Sequence, residues 1–281
     1  MLAILSSNWP FTVLGSKYLT NMRRFLISVH RFMSTFLVDP IRLWANYTAL
    51  PVFVRNYWLY KKLSRGKTSF STRDSSWHFT TYDRFLPAGS IHHHYFFQDL
   101  WAACEIVQQK VTHHTDIGSR LDGFVAHLLP FCQVNYVDIR PLASSVANLK
   151  FTQGSILSLP FEDNTLSSLS CLHVIEHIGL GRYGDPVDPD GHAKAARELA
   201  RVLAPGGRLY LGTPTGKEKL YFDAHRVFNP QTIIQLFNEL DFISFHLIDD
   251  RAQGVIENAS FDQALACSYG CGLYVFSKTA K

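Results

Sequence analysis

The 281-residue chain is 47% hydrophobic and 18% charged, a balance that excludes a disordered protein and suits one α/β core with an extension. Its five cysteines, at 104, 132, 171, 267 and 271, are odd in number and form no C-x-x-C pair; this excludes a disulfide framework or zinc knuckle and points to a reducing, cytoplasmic setting. The net charge of +4 is unevenly spread: residues 1–67 carry ten Lys or Arg against one acid, Asp39, while residues 111–281 carry 14 basic and 18 acidic residues.

In chain order, the apolar start Met1–Leu5 has its positive charges after it rather than before it, so it does not read as a signal peptide. No uninterrupted apolar run reaches the roughly 18–20 residues that span a bilayer. Phe25, Leu26, Val29, Phe32, Met33, Phe36 and Leu37 share one helical face. Pro40 and Pro51 are expected to break that pattern, with a second aromatic, basic helix over Phe53–Lys62. All five tryptophans lie in the first 101 residues. Basic plus aromatic composition fits a peripheral contact with anionic lipid, and it equally fits a packing extension with a solvated basic face. No nucleic-acid partner is expected. Residues 64–90 read as loop and Tyr95–Gln109 as helix, which divides the chain into an extension, 1–89, and a domain, 90–281.

From residue 111 short apolar strands alternate with helices. Strands are predicted over Val111–Ile117, Gln133–Ile139, Ser168–Val174, Arg208–Thr213, Phe242–Ile248 and Gly272–Ser277. Helices are predicted over Leu121–Leu129, His192–Leu203 and Pro230–Glu239. The pattern is that of an α/β, doubly wound sheet, whose right-handed crossovers bring the strand ends and their loops to one edge, where ligands bind.

At that edge, Asp116-Ile117-Gly118-Ser119-Arg120 leaves a strand through a tight turn into a helix, so the backbone can approach a ligand and present free N–H groups. Asp138 closes the next strand; a carboxylate there accepts from both hydroxyls of a ribose, or alternatively caps the turn at Arg140-Pro141. The following runs are Gln153-Gly154-Ser155-Ile156, Leu159-Pro160-Phe161-Glu162-Asp163-Asn164, His173-Val174-Ile175-Glu176-His177-Ile178 and Arg201-Val202-Leu203-Ala204-Pro205-Gly206-Gly207. In this order they resemble the class I S-adenosylmethionine-dependent methyltransferases over about residues 111–278. DIGSRLDGFVAHLLPF, IEHIGLGRYGDPVDPDG and FDAHRVF are similar to an uncharacterised, largely bacterial methyltransferase-like family associated with surface-polysaccharide synthesis, and HYFFQDLWAA (His94–Ala103) extends the likeness.

The resemblance implies a Rossmann-like sheet, mostly parallel with an antiparallel last strand, and S-adenosyl-L-methionine as cofactor. Asp116, Gly118 and Ser119 would form the methionine side of the site, Asp138 would hold the ribose, and Gly154, Ser155 and Ile156 would flank the adenine. His173 would face the methyl group. Two positions depart from the family pattern: Arg120 stands where a second glycine is usual, and Ser155 where an Asp often accepts from the adenine amino group. Arg120 has the chemistry to reach the methionine carboxylate.

For a hydroxyl acceptor the protein must align the groups and remove a proton. His225 follows the fifth strand and suits a general base, or is a structural histidine at the start of a helix. Arg226 has the charge to hold an acidic sugar or phosphate. The loop 179–191 offers Arg182, Tyr183 and Asp185 for stacking on a sugar and accepting from its hydroxyls. Metal is not expected, since Glu-His after such a strand is commonly structural. The sequence therefore points to methyl transfer onto a sugar, glycan precursor or other small acceptor. The alternative is a non-catalytic methyltransferase-fold module that binds glycan or assembly partners. A nicotinamide-dependent dehydrogenase lacks its G-x-G-x-x-G.

Overall fold

The computed structural model describes Met22, Val29, residues 39–66 and residues 93–280. The chain divides into two compact units, 1–90 and 91–281. The helical face predicted over 25–37, apart from Val29, and most of the loop predicted over 64–90 lie outside the described residues.

In the first unit, helix α1 runs unbroken over Pro40–Leu63 with Pro51 inside it, which corrects the expected break. A proline removes one backbone donor, and on an exposed helix water can take the orphaned carbonyl. Trp44, Tyr47, Trp58 and Leu63 are exposed, Lys61 Nζ sits 4.9 Å from the Trp58 ring, and Lys61 and Lys62 complement the negative end of the helix dipole. Among the described residues no helix is long and apolar enough to cross a membrane.

The second unit opens with α2 (His93–Gln108) and is built on a seven-stranded sheet. Strands β1 (His113–Ile117), β2 (Gln133–Asp138), β3 (Leu149–Gln153), β4 (Leu166–Leu172) and β5 (Leu203–Thr215) are parallel. A hairpin of β6 (Lys219–Tyr221) and β7 (His225–Val227) follows, then β8 (Asp241–Ile248) and β9 (Gly270–Ser277). The order is β3-β2-β1-β4-β5-β9-β8, with β9 antiparallel to both neighbours. This is the doubly wound sheet with an antiparallel last strand that the sequence predicted. The order reverses between β1 and β4, and a crevice opens there beyond the strand ends.

Helices cover both faces. Leu199 and Ala196 of α4 (Gly191–Val202) and Ile233 of α5 (Pro230–Leu236) pack with Leu169, Leu209 and Phe276 on one side. On the other, Ile106 of α2 meets Phe124, Leu128, Tyr210 and Leu273. The single helix expected over 121–129 is instead a π-wound turn, Leu121–Val125, continuing as α3 (Ala126–Leu128). A last short helix, α6 (Phe261–Ala266), begins at a Ser260–Gln263 capping box. Strand β3 and the β6–β7 hairpin were not predicted.

The run LPFED and the helix end RVL are joined by one side chain. Arg201 donates to the carbonyls of Leu159 (3.1 Å) and Phe161 (2.9 Å), to Asp163 Oδ1 (2.7 Å), and to both oxygens of Glu198 (2.8 and 2.9 Å). Glu198 in turn accepts from Leu159 N. These charge-assisted bonds fix the loop that precedes β4 against α4. Replacing Arg201 with Ala should lower unfolding free energy by about 1–2 kcal/mol in urea titration, with Lys recovering only part because it cannot bond in several directions at once. Unchanged stability in both variants would show that the loop holds itself.

Candidate active site

Beneath the crevice lies a buried polar network. Asp116, at the end of β1, is fully buried; Oδ2 accepts from Ser119 N (3.0 Å), and Oδ1 accepts from Ser119 Oγ (2.6 Å) and from Ser170 Oγ of β4. Ser119 Oγ also accepts from Leu172 N (3.1 Å). His114 lies between Ser168 Oγ and Ser170 Oγ, 2.8 Å from each, and burial pushes its pKa down to about 3, so the ring is neutral. Because Ser170 gives its proton to Asp116, its oxygen accepts from Nε2–H of His114, and Nδ1 accepts from Ser168. Burial raises the Asp116 pKa to about 6 against the pull of the two serines.

This network shapes the turn above it. Gly118 has φ +66°, and a Cβ there would meet the Val174 side chain at 3.3 Å, so a side chain at this position would be both strained and crowded. Arg120, in the position where a second glycine is usual, has φ −72° and ψ 126°. Extended backbone imposes no demand for glycine, which explains the departure. Its side chain turns to Asp122 (3.1–3.3 Å) and over the Tyr95 ring (5.0 Å).

Above the turn is a cavity of about 410 Å³. Its lining brings together Gly118, Ser119, Arg120, Asp138, Gly154, Ser155, Ile156, His173, Tyr183 and Asp185 of the sequence-predicted set. Asp116, Arg182, His225 and Arg226 are not in the lining. Asp116 lies below it as described. Arg182 donates to Ala224 O (2.9 Å) and covers Tyr183 at 5.1 Å. Arg226 donates to the carbonyls of Ile178 (2.7 Å), Glu176 (3.4 Å) and Pro189 (3.4 Å), so it clasps the loop. His225 stands behind His177, ring centres 6.4 Å apart.

Asp138 is buried and accepts from Tyr136 Oη (3.0 Å) and from Arg140 N (2.8 Å), Nε (3.0 Å) and Nη2 (2.8 Å). Burial alone would raise its pKa, but these donors outweigh it and hold the carboxyl below its usual range. The cap on the Arg140-Pro141 turn is thus present at the mouth of the cavity. Ser155 Oγ accepts from Leu157 N (3.2 Å).

His173 has φ +55°, an unfavourable conformation for a residue with a Cβ. It is buried, with Nδ1 2.8 Å from Glu176 Oε1, while its Nε2 and Glu176 Oε2 have no partner. Burial disfavours the charged ring, but Cys271 and Glu176 beside it prevail, and its pKa is raised well above the usual value. His225 shifts the other way: burial lowers it, with the field of Glu176 opposing, and its Nε2 is also unpartnered. Around the two imidazoles stand Tyr95 (4.9 Å from His173) and Tyr269 (5.2 Å from His225). Among the described residues no three His, Cys, Asp or Glu are grouped to hold a metal.

Sequence reasoning did not single out Tyr95, Arg140 or Tyr136. Tyr95 belongs to the HYFFQDLWAA run, which carried a resemblance but no role. Arg140 entered only as part of a turn.

Residues 148–268 match a family model described as Caenorhabditis protein of unknown function, DUF268. Among solved structures, the chain is similar to the N-methyltransferase NodS from Bradyrhizobium japonicum in complex with S-adenosylhomocysteine, at 20% identity, 64% of this chain, 84% of that one and a TM-score of 0.44. It is also similar to the 1,6-didemethyltoxoflavin-N1-methyltransferase from Burkholderia thailandensis, at 12% identity, 66% and 79% coverage and 0.48. A third is the [4+2]-cyclase SpnF, at 13%, 65% and 82%, and 0.48.

The raised Asp116 pKa carries a pH signature. Between its usual value of 3.8 and about 6, the native state keeps a proton that the unfolded chain has released, so this contribution to stability fades as pH rises through that window. Denaturant unfolding at ~pH 4 and ~pH 7 should show Asp116→Asn gaining on the parent by about 2–3 kcal/mol across the interval. A pH-independent difference would mean that the carboxyl is not strained by burial.

Proposed function

We propose that this chain transfers a methyl group from S-adenosyl-L-methionine to a small protic acceptor, a hydroxyl of a sugar or glycan precursor. The observation that carries the reading is the convergence, in one 410 Å³ cavity, of the Gly118 turn, the Asp138 carboxylate, the Gly154–Ile156 backbone and His173. Its size suits a nucleoside, and its donor set fits one. The Gly118 turn can take the amino-acid end, Asp138 the ribose, and Ser155 and Ile156 the flanks of the base. Bound there, the cofactor would supply an electrophilic methyl on a sulfonium.

The residues of the chain then align the acceptor and manage its proton. Two imidazoles with pKa values pushed apart suit opposite tasks. His225, shifted toward the neutral form by burial, is the proton acceptor in this reading; it stands 6.4 Å, ring centre to ring centre, from His177 of the cavity lining. His173, charged against Glu176, presents Nε2–H to an acceptor lone pair or oxyanion. Tyr183 and Asp185, in the lining, serve acceptor binding. Arg182 shapes the Tyr183 face, and Arg226 holds the loop on which both sit. Exposed Trp44 and Trp58 with Lys61 and Lys62 on α1 support a peripheral contact with anionic lipid by the first unit.

Isothermal titration with S-adenosylhomocysteine tests the cofactor site. Saturable binding that weakens by about tenfold or more in Asp138→Ala is expected, given two charge-assisted bonds lost; no heat at high micromolar ligand would favour the non-catalytic binding module. With labelled S-adenosylmethionine and a panel of sugar and nucleotide-sugar acceptors, His225→Asn should cut turnover by about 100-fold, the size of a general-base contribution. Equal rates in parent and variant would remove His225 from the chemistry. The full chain should co-sediment with phosphatidylserine vesicles and not with phosphatidylcholine ones; equal partition would refute the lipid contact.

A further inference from the structure

We propose that Arg140 is a displaceable latch on Asp138, released by a ligand carrying a vicinal diol, so that it sets the affinity of the cavity for such a ligand. The inference rests on the nucleoside reading above and assigns a role to a residue that reading does not use.

The four donors on Asp138 divide into two kinds. Tyr136 Oη belongs to a buried residue of β2, and Arg140 N belongs to the backbone, so neither can leave without unfolding the strand end. Arg140 Nε and Nη2 belong to a side chain that is 59% exposed, against 8% for its carboxylate partner. The fixed donors leave each carboxylate oxygen one further direction, and the guanidinium fills both with its fork.

A ribose presents two adjacent hydroxyls, which can replace the two guanidinium donors one for one. A buried carboxylate left short of donors is costly, so a ligand with one hydroxyl, or with none, pays for displacement without restoring the pair. The released guanidinium has a resting place: its Cζ already lies 5.1 Å from the centre of the Tyr183 ring, in the wall of the same cavity. There it keeps its charge in water and over an aromatic face. The geometry thus makes the empty and filled states alternatives on one carboxylate.

The test is calorimetric, on the full chain, with S-adenosylhomocysteine and its 2′-deoxy analogue. Arg140→Ala should bind S-adenosylhomocysteine roughly three- to fivefold tighter than the parent, since it removes a competitor worth about as much as a partly exposed ion pair. Arg140→Lys, unable to fork, should fall between. Added salt should tighten the parent more than Arg140→Ala, and the preference for ribose over deoxyribose, which Asp138 sets, should be the same in both, because each ligand displaces the same guanidinium. If Arg140→Ala binds equally or more weakly, the arginine holds the ligand or ignores it, and the latch is refuted. Asp138→Ala separates the two levels. Parent binding that is lost in Asp138→Ala, with no tightening in Arg140→Ala, sinks the latch alone; no binding by the parent or by Arg140→Ala sinks the nucleoside reading with it.

Discussion

The carboxylate of Asp116 is the constraint on which the crevice depends. It sits where β1 ends and receives protons from the next turn and from the neighbouring strand β4, so one buried group fixes a loop and a strand pairing together. It ties the Gly118 turn to β4 in addition to the backbone pairing of the two strands, and so forms the floor of the cavity. The neutral His114 below completes the chain of donors. Polar networks of this kind stabilise only when every member is satisfied, which is why two serines occupy buried positions on β4 where a parallel strand would otherwise be aliphatic.

The floor is rigid and the rim is charged. His173 is held in a left-handed backbone conformation by its place between β4 and the single turn Ile175–His177, and strain of this sort tends to persist where the surroundings over-determine it. The carboxylate of Glu176 lies under it with one oxygen free of partners. A short stretch of chain, residues 173–177, therefore places the His173 imidazole, the Glu176 carboxyl bonded to it, and His177 beside His225.

Much of the architecture was legible because the period of the apolar pattern changes at residue 111 and because strand ends in such sheets face one edge. Asp138 and Gly118 could be placed from that rule alone. Strand β3 escaped because it is a five-residue edge strand with only part of its surface buried, so alternation is weak. The β6–β7 hairpin is three residues a side, too short for any periodicity. Pro51 misled because a breaker rule weighs the lost donor without asking whether water can reach the carbonyl. At the site, residues whose role follows from position along a strand were readable. Those whose role follows from partners far away in the chain were not: Arg226 could be seen as a cation, but not that three carbonyls 37 to 50 residues earlier would claim it.

That clasp has a consequence for how the cavity wall can change. Gly179 accepts the Asp188 amide and donates to Asp185, closing the loop on itself, and Arg226 then rivets this closed ring to the hairpin that carries His225. Loop and hairpin form a single cassette seated on the sheet edge. An insertion in one would have to be matched by a reshaped other, so this wall of the cavity can change as a unit while the Gly118–Asp138 side stays intact.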